Sequence, residues 1–308
     1  MKAEWLQIGS EWLKIEPNVR WYLYLFGFTA VIAWETLWPR KELVSNTGVR
    51  WCGQVALMIL ASLITLWVVP VSAIEVSFRV TQDGWGLLPN SGLPLPIQLL
   101  LGVLALDLTR FSQHWCFHAS PLLWRIHRIH HSDPDFDLTT GIRFHPLDPI
   151  LSITTYIPVV WLLGVPPLAA MGYELAHVVH AFFSHANLRM PRGLDAWLRL
   201  FLVTPETHRI HHSDDIRENF KNYGEMFTMW DRILGTYKAQ PEGGHENMGI
   251  GMKGYRGNRM FNPVTLLAWP FYDKAISSAK ELEQPNLSRQ HGLDSALESW
   301  TARQFFRR

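Results

Sequence analysis

The sequence contains few of the residues that build iron–sulfur clusters, disulfides or zinc ribbons. It has two cysteines, Cys52 and Cys116, and no Cys-x-x-Cys pair. Each stands alone in apolar sequence, so we expect both to be buried packing residues. The chain also lacks a Gly-x-Gly-x-x-Gly fingerprint and a recognisable haem domain. Electrons for any redox reaction would therefore come from a separate protein.

Charge of one sign is also scarce. The formal net charge is +1, and no long run of Lys or Arg forms a basic arm. This composition argues against a nucleic-acid partner. The first residues, "MKAEWLQIGSEWLKIEPNVR", place acids and amides where a secretory signal needs an apolar core. We therefore predict no cleaved signal peptide.

Apolar residues are abundant, at 48% of the chain with 15 Trp. A membrane-spanning helix needs about 20 mostly apolar residues. Segments 21–38 and 53–74 are long enough, and 53–74 carries no charge. A third apolar run covers 97–110. A fourth apolar run is interrupted by "GVPP", where a helix cannot easily continue, so we predict a helical hairpin over 149–183. Buried helices of a large soluble protein are the alternative.

These segments predict an all-α integral membrane protein with four to five membrane helices and a cytosolic helical cap. We divide it into an N-terminal membrane region (1–100), a catalytic region (101–240) and a polar tail (241–308). The loop at 39–50 and the chain after 185 are rich in Lys and Arg, which favours the cytoplasm. The count of spans puts them on the same side as every histidine cluster. A bacterial inner membrane is favoured over the endoplasmic reticulum.

Histidines form the most distinctive pattern, since "HRIHHSD" occurs twice, at 127–133 and 208–214. Residues three and four apart share a helix face, so each copy predicts three projecting imidazoles. Two further clusters are "HWCFH" and "HVVHAFFSHAN". Together the four clusters supply His114, His118, His127, His130, His131, His177, His180, His185, His208, His211 and His212. The role of His145 is open, and we expect His245 and His291 to lie on the surface.

Clustered imidazoles predict a metal centre. Four ligands would satisfy zinc, whereas eight to eleven suit two adjacent ions, and imidazole suits iron with open positions. A zinc or copper protein for binding or transport is the main alternative, but a transporter needs ionisable groups within its spans. A two-metal hydrolase usually has bridging carboxylates, and neither HxxHH motif contains one.

The order HxxxH, HxxHH, a third histidine region and HxxHH resembles the fatty acid hydroxylase and sterol desaturase superfamily of membrane di-iron enzymes. The segments "LLWRIHRIHHSDPDFDLTTGIRFHPLD" and "VTPETHRIHHSDDIRENFKNYGEMFTMWDRILGTY" resemble its bacterial sterol-desaturase-like branch, over roughly residues 100–240. The chain departs from that pattern at "FSHANLR", where Ser184 replaces the first of two paired histidines. This leaves His180 and His185 as third-region ligands, with His177 as a further one.

The resemblance implies two non-haem irons, O2 as co-substrate, and hydroxylation or desaturation of a lipid C–H bond. It also implies a separate electron donor: a ferredoxin, a cytochrome or a reductase. The lipid and the outcome stay open among sterols, fatty acyl chains and related lipids. Four carboxylates are candidates to bond the outer ring nitrogens of the ligands: Asp107, Asp133, Asp214 and Asp231.

Overall fold

The computed structural model describes residues 2–271, with side chains from residue 18 onward. This part of the chain is all-α, as predicted: its backbone pairings outside helices include three isolated bridges and no strand. The long helices are α1 (Lys2–Leu37), α2 (Thr47–Val68), α3 (Ala73–Asp83), α4 (Leu95–Ala119), α5 (Pro121–His131), α6 (Leu147–Leu163) and α7 (Pro167–Ser184). The short helices are α8 (Arg192–Leu198), α9 (Pro205–His211), α10 (Ile216–Asn219), α11 (Met229–Leu234), α12 (Gly244–Asn247) and α13 (Pro263–Ala268).

Two segments of the described chain are both long and apolar enough to cross a membrane: Thr47–Asp83, which contains α2 and α3, and Leu95–Ala119, which is α4. Only 28% and 22% of their most apolar windows are buried within the protein. Their apolar side chains therefore face outward, as in lipid-exposed helices, and not into a soluble core. The predicted span at 21–38 lies within α1, and spans beyond these two remain a prediction.

Proline and glycine set the helix ends. The predicted segment 53–74 is two helices, because Pro70 prevents α2 from continuing past Val68. The "GVPP" sequence separates α6 from α7. There Gly164 has φ +62°, and a Cβ at this position would lie 2.6 Å from the carbonyl oxygen of Trp85. Only glycine fits this turn without strain.

The helices pack so that one end of the bundle carries the polar chemistry. A hydrophobic cluster that includes Leu106, Tyr156 and Tyr173 joins α3, α4, α6 and α7. At the end of α1, Glu35 accepts backbone hydrogen bonds from Leu138 and Asn187. The last turn of α1 therefore meets the residues that follow α7 at this end of the bundle.

The first part of the predicted polar tail packs against the bundle. Met260, Leu266 and Trp269 form a buried cluster with Leu57 of α2 and Ile129 of α5. Residues 272–308, which include His291, lie outside the described part of the chain.

The prediction that the cysteines are buried is wrong, because both Cys52 and Cys116 are exposed. They lie on α2 and α4, within the two segments whose apolar side chains face outward. Apolar sequence around a cysteine indicates burial only when the apolar face of the helix packs against protein.

Candidate metal centre

Nine of the eleven predicted ligands converge at the polar end of the bundle, in two groups. Within each group, one potential ligand atom per residue lies within 4.8 Å of every other, and all nine residues are buried. The first group is His114, His118, His127, His131 and His211; the second group is His130, His185, His208 and His212. Helices α4, α5 and α9, together with the residues that follow α7 and α9, supply them.

The histidines of each "HRIHHSD" copy are divided between the two groups, whereas each copy taken by itself would suggest one group per copy. The first copy gives His127 and His131 to the first group and His130 to the second. The second copy gives His208 and His212 to the second group and His211 to the first. Residues i and i+4 differ by about 40° around a helix, whereas i+3 and i+4 differ by about 100°. The middle histidine of each copy therefore faces the neighbouring group.

Distances between ring nitrogens fit shared coordination. The Nε2–Nε2 distances are 3.1 Å for His118–His131 and 2.9 Å for His114–His211 in the first group. In the second group, His185 Nε2 lies 3.2 Å from His130 Nε2 and 3.0 Å from His208 Nε2. Two ligands about 2.1 Å from one ion at a right angle would be about 3.0 Å apart.

Two of the clustered histidines have a buried ring nitrogen with no partner in the protein, as expected for atoms that bind a metal ion. Nε2 of His127 and Nε2 of His212 are both buried and have no hydrogen-bond partner. Such groups are costly unless something binds them. The donor set, nine imidazoles in two adjacent groups, fits two metal ions of the kind that histidine prefers.

The outer nitrogens of several rings are held by acceptors, which fixes the tautomer that leaves Nε2 free. The Nδ1–H of His114 donates to the carbonyl of Tyr223 at 2.9 Å, and that of His211 to the carbonyl of Lys221 at 2.7 Å. In the second group, Nδ1–H of His185 donates to the carbonyl of Ala181 at 2.9 Å. These bonds orient the imidazoles and raise their basicity.

Asp148 is a carboxylate that bonds one of the nine clustered histidines: it accepts from Nδ1 of His127 at 2.8 Å. None of the four aspartates proposed from the sequence bonds a histidine in the described part of the chain. Asp231 instead accepts the backbone N–H groups of Tyr223 and Gly224, and so positions the Tyr223 carbonyl that bonds His114. No fixed spacing links Asp148 to His127, because the two residues meet only through the packing of α5 against α6.

Burial keeps the imidazoles neutral. Desolvation, reinforced by the neighbouring rings, lowers the pKa of His130, His131, His208, His211 and His212 well below the usual value near 6.5. Desolvation also lowers the pKa of His185 to about 4. A neutral ring is the form that binds metal, so the site is ready for metal at neutral pH.

The third histidine region is divided. His185 belongs to the second group, whereas His177 and His180 lie outside both groups. Nε2 of His177 instead bonds Glu225 at 2.7 Å, and the other oxygen of Glu225 is 4.0 Å from Nδ1 of His114. His180 is buried, and its ring lies close to the backbone of Val203 and of Glu225.

The isolated histidines lie away from the two groups. His145 Nε2 faces the carbonyl oxygen of Leu267 at 3.2 Å. The expectation that His245 is a surface residue is wrong: its side chain is 8% exposed and lies 3.0 Å from Glu206. A histidine in polar sequence can be buried where a carboxylate from another helix faces it.

The part of the chain that holds the clustered histidines matches a known protein family. Residues 99–236, which hold all nine clustered histidines, match the family model described as fatty acid hydroxylase. This region belongs to the fatty acid hydroxylase family. The resemblance inferred from the order of the histidine motifs is therefore confirmed. No solved structure matches the chain.

Several curated proteins are similar to this chain. Ornithine lipid hydroxylase of Rhizobium tropici is 30% identical over 181 residues, or 59% of this chain and 52% of that protein. Alkylglycerol monooxygenase of Homo sapiens is 30% identical over 139 residues, or 45% of this chain and 30% of that protein. A very-long-chain aldehyde decarbonylase of Oryza sativa is 26% identical over 180 residues, or 56% of this chain and 68% of that protein. The chain thus spans about half the length of the first of these relatives.

Replacing Asp148 with asparagine tests the outer bond to His127. The amide would keep the volume of the side chain but lose the charge that orients the ring, so we expect metal affinity to fall by about 10- to 100-fold. Titration of the metal-stripped protein with Fe(II) measures the change. Asp214→Asn is the matched control, because Asp214 faces Lys253 and Arg256 and bonds no histidine in the described chain. Equal affinity in the two variants would contradict the role of Asp148.

Proposed function

We propose that this protein is a membrane di-iron oxygenase that uses O2 and two external electrons to hydroxylate or desaturate a C–H bond of a lipid. The observation that carries the proposal is the pair of adjacent, buried, all-imidazole groups. The first group would hold one iron through five histidines and the second would hold the other through four. The irons would supply the activation of O2 when bound.

The residues around the two groups support oxygen chemistry over hydrolysis. Neither group contains a carboxylate, although two-metal hydrolases usually bridge their ions with one. Aromatic rings cover the histidines: Phe117 stacks on His127 with ring centroids 5.2 Å apart, and Phe144 stacks on His130 at 4.6 Å. An apolar cover of this kind excludes bulk water from a reactive centre.

The proposal of a lipid substrate rests on location and on relatives. The histidines lie at the end of α4, one of the two segments able to cross a membrane, and the outward face of that segment is apolar. The similar proteins named above act on ornithine lipids and alkylglycerols. We propose an active site that faces the cytoplasm of a bacterial inner membrane, within reach of acyl chains.

The electrons are proposed to come from a ferredoxin, a cytochrome or a reductase. In the described residues the clusters able to hold a metal are the two histidine groups, and neither resembles an electron-transfer centre of its own. His180 and His177 stay proposed as ligands: His180 lies close to His185 of the second group, and His177 shares Glu225 with His114 of the first group.

Lipid analysis in a heterologous host tests the proposal. Membranes that contain the wild-type chain, incubated with a reducing system under labelled oxygen gas (18O2), are expected to yield a lipid that gains one labelled oxygen atom. Desaturation would instead remove two hydrogens. Membranes with the His130→Ala/His131→Ala variant, expressed to the same level, are the control.

Metal analysis of the same preparations separates the proposal from its alternatives. Iron in both groups together with the labelled product would support the oxygenase. Zinc or copper with no oxygen-dependent product would overturn it and favour a binding or transport protein.

A further inference from the structure

An arginine lies within the apolar helix α4, one turn before the first histidine of the metal centre. Arg110, His114 and His118 are spaced i, i+4 and i+8, so they share one face of α4. A charged side chain in a segment able to cross a membrane is costly unless it is paired, and such residues mark functional sites. The partners of Arg110 therefore indicate what this side chain does.

Arg110 has no ion pair and no hydrogen bond in the described part of the chain. Its guanidinium carbon lies 4.8 Å from the centre of the Tyr156 ring, and its buried Nε has no hydrogen-bond partner. Glu225 and Glu174 are near enough to act on its charge, but the ion pair of Glu225 is with His177 and not with Arg110. Glu225 instead bonds His177. If Arg110 served only to neutralise Glu225, a direct pair would be expected.

Tyr156 adds a second donor without a partner. This residue of α6 is 2% exposed, and its hydroxyl is buried without a hydrogen bond. A buried hydroxyl and a buried guanidinium N–H in contacting side chains are together two unused donors. What both lack is an acceptor, and a carboxylate or phosphate oxygen is the acceptor that arginine binds best.

We infer that Arg110 and Tyr156 bind the acidic group, carboxylate or phosphate, of the lipid substrate. This inference rests on the proposed function, because it concerns the substrate of the same centre. The rise of one helical turn is about 5.4 Å. An acidic group at Arg110 would thus place the first few carbons beside it next to His114. The oxidised C–H bond then lies close to the acidic end of the lipid and far from the end of its chain.

Binding of three probes with the same alkyl chain length tests the inference: palmitate, hexadecyl phosphate and hexadecanol. Each is titrated onto the metal-loaded full chain in neutral detergent, and affinity is read by equilibrium dialysis of the radiolabelled probe. We expect Arg110→Gln to weaken the binding of the acidic probes by about 10- to 100-fold and to leave hexadecanol unchanged. Arg110→Lys should recover part of the loss, and Tyr156→Phe should lose less than Arg110→Gln. The control is Arg79→Gln, since Arg79 is exposed and pairs with Glu75.

The binding data decide between a site for an acidic group and no such site. Selective loss of palmitate, of hexadecyl phosphate or of both would support the site and identify its acidic group. Unchanged binding of both acids in Arg110→Gln, or equal loss of all three probes, would overturn it. Iron content of the same samples tests the oxygenase separately. A wild-type chain without iron that still prefers the acidic probes would refute the proposed function and keep the binding site.

Discussion

Removing His130 and His131 together is expected to weaken metal binding in both groups, whereas removing His130 and His212 together should empty one group and leave the other intact. His130 belongs to the second group and His131 to the first, although they are adjacent in sequence. His212 shares the group of His130, so the second pair of substitutions falls on one ion. In His130→Ala/His212→Ala we expect about one iron per chain with its affinity unchanged, because two of the four ligands of the second group are lost and none of the first. In His130→Ala/His131→Ala each group loses one ligand, so we expect both irons to bind more weakly.

The opposite result would follow if each "HRIHHSD" copy held its own ion. In that arrangement His130 and His131 would share one iron, while His130 and His212 would serve different irons. Iron content by elemental analysis, with absorption spectra of the same samples, distinguishes the two arrangements directly. Oxidation of lipid is expected to be lost in both variants, since the proposed reaction would need both ions. His145→Ala is the control and should keep both irons, because His145 lies outside both groups.

Replacing Arg50 with methionine is expected to lower the free energy of unfolding much more than replacing an exposed arginine would. Arg50 is fully buried on α2 and pairs with two buried carboxylates, with Nε 2.7 Å from Asp133 and Nη1 2.5 Å from Asp137. Asp133 also accepts from Nε2 of Gln54 at 2.6 Å. The substitution would leave both carboxylates buried without their counter-ion. We expect the free energy of unfolding to fall by about 3–5 kcal/mol.

Denaturant unfolding of the detergent-solubilised protein measures this change. Arg79→Met is the matched control, because its pair with Glu75 on α3 is exposed and should contribute about 0–1 kcal/mol. Adding Asp133→Asn to Arg50→Met should recover part of the loss, since one uncompensated charge is removed. Equal stabilities for the Arg50 and Arg79 variants would contradict this account. Asp133 lies two residues after His131, so we also expect the Arg50 variant to bind metal more weakly.

The sequence alone determined the helical class of the protein and most of the histidines of its candidate metal centre. The two "HRIHHSD" copies and "HWCFH" contain eight of the nine clustered histidines, since i, i+3 and i+4 spacings on helices are legible without coordinates. Helical character was equally legible, because long apolar runs are bounded by Pro and Gly. The family followed from the order of these motifs along the chain.

The tertiary structure decided how the histidines are shared and what supports them. Rotation about a helix axis shows that His130 and His131 diverge, but only the packing of α4, α5 and α9 shows which ion each could bind. The carboxylate that bonds His127 is Asp148, from a helix that begins 20 residues beyond it, and not one of the four aspartates chosen from the sequence. The exposure of Cys52 and Cys116 likewise depends on which face of each helix meets protein. Local spacing fixes what a single helix presents, whereas contacts between helices depend on the packing of the whole chain, which no local pattern encodes.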